Sequence, residues 1–276
     1  MPKQVFIAAI SSDIGSALAR LYLHEGCEVA GTFRDDTGIV DLYRDQRVKL
    51  IRCDLSRAGA LSELASQMTS RDVVWDVFIS AVGQLSPIGG FFDTDRDTWL
   101  ASVDANGPMQ LGLLHAIAPF RNQACMAKVA FLVGGAISRS FPNYSAYSLG
   151  KLQLVKFCEL IHDECDDMHA VAVGTGWVAT RIHEQTIQAG DAAGDNFDRT
   201  REFIARRETG TSIEDIKACI DWCFAQPRDV TGGRNFSVVH DAWRHGGQAL
   251  ARALAQDTEA FKLRRRGNNE LGTVAS

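Results

Sequence analysis

Short apolar runs alternate with amphipathic stretches along most of the chain, and their spacing predicts the elements in turn. Val5 to Ile10 (VFIAAI) reads as a buried strand, followed by SSDIG and an amphipathic helix, SALARLYLHEG, ended by Gly26. A second strand, Glu28 to Phe33, runs into a turn rich in Asp and Gly. VKLIRCDL forms the third strand, ahead of a helical stretch around Leu61 to Met68, and DVFISAVG, ending at Gly83, forms the fourth. One long helix is predicted from about Arg96 to Phe120, then a strand, KVAFLV. The next helix carries Tyr147 and Lys151 and continues through LQLVKFCELIHDE, with Leu152, Val155, Phe157, Leu160 and Ile161 at helical apolar spacing. A strand HAVAVGTG, a polar segment from Glu184 to Thr211, a helix from Ser212 to Phe224 and a last strand RNFSVV complete the pattern. Gln188 to Asn196 is the most loop-like stretch, placed where a substrate lid is useful.

Strand, helix, strand at this rhythm implies parallel pairing with right-handed crossovers. The expected fold class is α/β, a Rossmann-type doubly wound parallel sheet in a single domain. No internal repeat or dividing linker interrupts it.

Composition narrows the function classes. The net charge of −5 over 276 residues argues against a general affinity for nucleic acid. The one basic run, Lys262-Leu263-Arg264-Arg265-Arg266, reads as a solvated helix end or a packing contact. No apolar run approaches the roughly 18–20 residues of a membrane span, and a strand-like stretch follows directly on the N-terminus, so a cytoplasmic location is expected. The seven cysteines are scattered, several in apolar contexts, and Cys219 and Cys223, one helical turn apart, lack a second ligand pair. No metal site is expected.

In open parallel sheets, ligands bind beyond the carboxyl ends of the strands. There the first strand turns into its helix through Ser11-Ser12-Asp13-Ile14-Gly15. Unpaired N–H groups and the positive dipole end suit a pyrophosphate, and the Ser11 and Ser12 hydroxyls can reach phosphate oxygens. Ala9 and Asp13 stand where glycines would ease the approach, and Asp13 reads as a helix cap rather than a ligand contact. At the end of the second strand Arg34 presents a guanidinium, which suits a 2′-phosphate where a carboxylate would bind a ribose diol. The alternative is a surface Arg at a strand end. Tyr147 and Lys151, four apart, share a helix face, and an ammonium beside a phenol lowers the phenol pKa. Tyr147 is thereby a candidate general acid toward a carbonyl, or general base toward an alcohol; the alternative is an ordinary surface pair.

These residues, in this order, resemble the short-chain dehydrogenase/reductase family from Val5 to about Val239. AAISSDIG stands where that family has TGxxxGxG, and Asp54, followed by Leu55, resembles its adenine-contacting Asp. SAVG, with Ala81 and Gly83, stands for NNAG, and Asn106 in VDANG resembles the helix Asn that supports the catalytic Lys and a relay water. Tyr147 and Lys151 match YxxxK. TGWVAT, with Gly176, Val178 and Thr180, resembles PGxxxT, whose Thr binds the nicotinamide carboxamide. The resemblance implies a reductase domain over 1–243 and a C-terminal extension over 244–276. It implies NADP(H) as cofactor, a small-molecule carbonyl or alcohol as substrate, and a homodimer or homotetramer. The closing segment, GRNFSVVHDAW and then AFKLRRR, is similar to short-chain reductases of sugar-polymer pathways, which favours a sugar derivative.

The departures bear on chemistry. Gly134, followed by Gly135, holds the position of the family's catalytic Ser, and the nearest hydroxyls are Ser138 and Ser140. Ser138 is the expected substitute. Without one, the site loses on the order of a hundredfold in rate. SAVG lacks both amide side chains of NNAG. Trp177 walls the substrate pocket or fills the core, and His183 reads as a solvated loop residue. Two rival functions remain: a non-catalytic NADP(H)-binding protein of the same fold, and a nucleotide-sugar epimerase or dehydratase.

Overall fold

A computed structural model of the chain describes residues 2–36, 38–43, 48–206 and 209–265. Seven strands form one parallel sheet: β1 (Gln4–Ala8), β2 (Glu28–Phe33), β3 (Val48–Arg52), β4 (Val77–Ser80), β5 (Ala127–Val133), β6 (Met168–Gly174) and β7 (Asn235–Ser237). Their order is β3-β2-β1-β4-β5-β6-β7, with Ile7 registered against Gly31 on one side and Ile79 on the other. The order reverses between β1 and β4, which opens a crevice at their carboxyl ends. This is the doubly wound α/β fold expected from the pattern.

Both faces of the sheet are covered, as β1 shows. Val5 and Ile7 point into a cluster with Leu18 and Tyr22 of α1 (Asp13–His24), and Phe6 and Ala8 into another with Phe78 and Phe131. That alternation is the period of two of a strand buried on both sides. Between β2 and β4 lie the short α2 (Ile39–Leu42) and α3 (Ala60–Ser70), whose Leu64 and Met68 join the Phe6 cluster.

The long helix expected from Arg96 to Phe120 is two. α4 (Arg96–Asn106) stops at Gly107, and α5 (Pro108–Ile117) restarts with Pro108 in its first turn, followed by a 3-10 turn, Ala118–Phe120. Proline lacks the N–H that an unbroken helix would need and disfavours helical backbone at the residue before it; Gly107 has φ −135° and ψ −91°. α6 (Ser145–Glu164) follows. The polar segment 184–211 also departs from expectation: it holds α7 (Ile182–Ala189), a 3-10 turn (Gly190–Ala193) and α8 (Asp195–Ala205). The glycines that suggested a loop are Gly190 and Gly194, which sit at positive φ where the helical pieces meet.

On the other face α9 (Ile213–Ala225) packs Ile216, Ile220 and Phe224 against the sheet, capped at its start by Ser212, which accepts from the Asp215 N–H at 3.1 Å. The short α10 (Arg228–Thr231) leads into β7. Past Trp243, α11 (Gly247–Gln256) is tied down by buried Arg234, which donates to the carbonyls of Leu254 at 2.9 Å and Asp257 at 3.0 Å. A cation at a helix C-terminus satisfies carbonyls that the helix leaves unpaired. The basic run is a packing contact in part: Arg264 pairs with Glu259 and, at 2.7 Å, with Glu159 of α6, while Arg266 lies outside the described residues. Among the described residues no helix is long and apolar enough to cross a membrane.

Candidate active site

α6 carries Tyr147 and Lys151 one turn apart to the carboxyl ends of β4 and β5. Lys151 is buried, and its Nζ donates to the Val82 carbonyl at 2.6 Å and the Leu132 carbonyl at 2.9 Å. Burial pushes the ammonium pKa down to about 7. The hydroxyl end of Tyr147 is sunk beside Gly134, and burial pushes its pKa up to about 12. The expected lowering of the phenol pKa by Lys151 is therefore overturned. Burial disfavours both charged forms, and two of the ammonium's N–H groups are taken by carbonyls.

Asn106, buried on α4, clamps the chain after β4. Its Nδ2 donates to the Gln84 carbonyl at 2.9 Å, and its Oδ1 accepts from the Gln84 N–H at 3.2 Å. α4 and α6 meet closely here: a Cβ on Gly150 would stand 2.5 Å from the Asn106 Cβ. Asn106 thus positions the strand end whose Val82 carbonyl holds Lys151.

One cleft of about 1320 Å³ opens at the switch point. Of the residues singled out in the sequence, Ser12, Asp13, Ile14, Arg34, Ala81, Gly83, Ser138, Tyr147, Lys151, Gly176, Val178 and Thr180 line it. Ser11, Asp54, Leu55 and Asn106 stand outside its lining. At the first turn the cap of α1 is Ser12, whose Oγ accepts from the Gly15 N–H at 3.0 Å. Asp13 is not the cap: its carboxylate accepts from the Arg181 backbone N–H at 2.6 Å and Nε at 2.9 Å. Ala9 holds a left-handed φ of 57°, and a Cβ on Gly15 would strike the Ala9 carbonyl, so the turn is wound as tightly as a glycine-rich one. Arg34 is exposed at the lip, 2.7 Å from Asp35. Asp54 accepts from the Ser56 hydroxyl at 2.7 Å and N–H at 3.0 Å, which holds its carboxyl below the usual range.

The helical pair α7–α8 forms the outer wall. Gln185 Oε1 accepts from the N–H groups of Leu85 at 2.8 Å and Ser86 at 2.9 Å, pinning α7 to the β4 loop. Tyr144 and Thr186 share a hydroxyl hydrogen bond at 3.0 Å. Leu85, Tyr144 and Ala193 are buried with Phe141, Tyr147, Ile182 and Phe197 packed on them, an apolar wall beside the phenol. His183 is not a solvated loop residue. It lies on α7, stacked on Trp177 at 5.3 Å and 5°, with Phe203 5.0 Å from each ring and the Val178 carbonyl 2.9 Å from its Nε2.

A family model described as Enoyl-(Acyl carrier protein) reductase matches residues 8–238, from the last residue of β1 through β7. The chain belongs to the short-chain dehydrogenase/reductase family. It is similar to the short chain dehydrogenase pigC of Monascus ruber, 23% identical over 254 residues, 87% of this chain and 79% of that protein. Among solved structures it resembles a short-chain dehydrogenase/reductase of Saccharomyces cerevisiae, with a TM-score of 0.76 at 18% identity over 88% of this chain and 98% of that one. A second, from Burkholderia multivorans with bound NADP, gives a TM-score of 0.65 at 17% identity over 87% and 98%.

For this short-chain dehydrogenase/reductase, sequence reasoning passed over Arg181, Gln185, Tyr144 and Gly150. Gly150, between Ser148 and Lys151 in the YxxxK stretch, was the one with a legible signal, a glycine inside a long helix. Ser138 ends the 3-10 turn Gly135–Ile137 with its side chain exposed, and Ser140 is exposed on the same cleft.

Proposed function

We propose that this short-chain dehydrogenase/reductase is an NADP(H)-dependent enzyme that interconverts a carbonyl and an alcohol on a small molecule. The observation that carries the reading is Tyr147 and Lys151, one helical turn apart, at the floor of one large cleft. A dinucleotide fits the residues present: the tight turn at Gly15, the N-terminus of α1 with Ser12, and floor positions Gly83 and Gly135 that offer bare backbone. Ser12 and Ile14 would hold the diphosphate, Arg34 a 2′-phosphate, and Gly176, Val178 and Thr180 the nicotinamide end. Bound NADPH supplies the hydride.

The chain's own residues supply the proton and the position. Tyr147 holds its proton at neutral pH and gives it from Oη to the carbonyl oxygen, as a general acid. Lys151, two of its three N–H groups taken by Val82 and Leu132, keeps one for the cofactor ribose or the phenol. Asn106 fixes the Gln84 segment that frames this pair. The apolar wall of Leu85, Phe141 and Phe197 favours a substrate with an apolar body. Exposed Leu100 on α4 and Leu149 and Leu160 on α6 support a homo-oligomer.

One observation favours the rival reading, a cofactor-binding protein without turnover: Gly134 offers no side-chain donor beside the phenol. A titration separates the cofactor assignment from turnover. Arg34→Ala weakens NADPH binding and leaves NADH binding nearly unchanged; equal losses for both, or no preference in the parent, contradict the 2′-phosphate assignment. A parent that binds NADPH but turns over no carbonyl in a broad screen supports the rival.

A further inference from the structure

Asp13 opens α1 where the family's turn has a glycine, and it brings a negative charge to the place where two phosphates would approach. It has no capping duty, since Ser12 caps the helix. Both of its carboxylate oxygens are instead taken by Arg181, from the segment between β6 and α7 that follows Thr180 directly. The two residues are 168 positions apart in sequence and meet across the mouth of the cleft, which both line. A smaller cavity of about 130 Å³ adjoins the pair, walled by Thr180, His183 and Phe203. Arg181 donates to Asp13 through its backbone N–H and Nε, its side chain 60% exposed, so the outer fork of its guanidinium is open to a second anion. A planar fork matches the oxygens of a phosphate.

Resting on the dinucleotide reading above, we infer that Arg181 is a diphosphate-binding residue and that Asp13 holds it in reserve. When a dinucleotide enters, the guanidinium leaves the carboxylate for the phosphates, while the backbone N–H of Arg181 keeps Asp13 on the turn. Two anions then compete for one cation, so Asp13 lowers cofactor affinity, and because salt screens its repulsion from the phosphates it makes the dependence on salt shallower. If Arg181 served only to neutralise Asp13, it would have no value once that charge were gone.

A double-mutant cycle on NADPH affinity, read as Kd by direct titration of the whole protein, separates the two. Asp13→Asn keeps the shape of the side chain and removes its charge; it should tighten NADPH binding by about tenfold, the effect of one nearby like charge. Arg181→Ala should weaken binding in the parent and again, by about tenfold, in the Asp13→Asn background. Arg181→Lys should recover part of that loss, because it restores the charge without the fork. Unchanged affinity in Asp13→Asn, or an Arg181→Ala change that is silent once Asp13 is neutral, overturns the inference while leaving the cofactor assignment standing. Absence of NADPH binding by the parent and every variant overturns both together.

Discussion

The phenol oxygen of Tyr147 rests against Gly134, in the space that a side chain there would fill. The family's serine and this chain's tyrosine conformation are therefore mutually exclusive. Restoring the family residue should not restore a better site. Gly134→Ser is expected to push the phenol off its seat and lower kcat by tenfold or more, within the range that positioning errors cost. An increase in kcat on steady-state assay would show that the tyrosine moves aside freely.

With no side chain at 134, the substrate oxygen needs another donor. Ser138, exposed on the same cleft beyond the 3-10 turn, is the proposed one. Ser138→Ala should slow the chemical step by about 10²–10³-fold, the usual cost of losing a donor aimed at a developing oxyanion. Ser140→Ala should do little, and neither should change the Kd for NADPH. Full activity in both variants would pass the role to a backbone N–H or to the substrate itself.

A pH effect on stability follows from His169, on β6. Its imidazole is buried, 2.9 Å from the Thr231 hydroxyl, with Phe224 edge-on, and burial pushes its pKa down to about 4 from 6.5. Between those values the unfolded chain takes up a proton that the folded chain refuses, so stability falls as pH drops from about 6.5 toward 4 and levels off below. The expected loss is on the order of 3 kcal/mol. Urea unfolding of a His169→Gln variant should show a shallower fall over that window. An identical slope in parent and variant would assign the acid sensitivity elsewhere.

Strands were the most legible part of the chain, because runs such as VFIAAI and KVAFLV are buried on both faces and their apolar character is continuous. Helix breaks were less so. Gly107-Pro108 carries a clear stop signal, yet the apolar spacing continues through it and suggested one helix. The 184–211 segment failed for the opposite reason: its polar, glycine-bearing composition hid two short helices whose stability comes from packing on Tyr144 and Leu85. In the site, the turn, the tyrosine and the lysine were legible as motifs. Asp13's partner was not, since no local pattern announces a contact 168 residues away. Nor was the direction of the Tyr147 shift, because spacing reports which groups are neighbours and not how dry their surroundings are.

The most direct test of the account is Tyr147→Phe, assayed for NADPH affinity and for turnover of a carbonyl that the parent reduces. The phenyl ring keeps the apolar contacts of α6 with the wall and removes only the proton donor. The account predicts an unchanged fold, an NADPH Kd close to that of the parent, and turnover lower by about 10²–10⁴-fold. A variant that reduces its substrate as fast as the parent would contradict it.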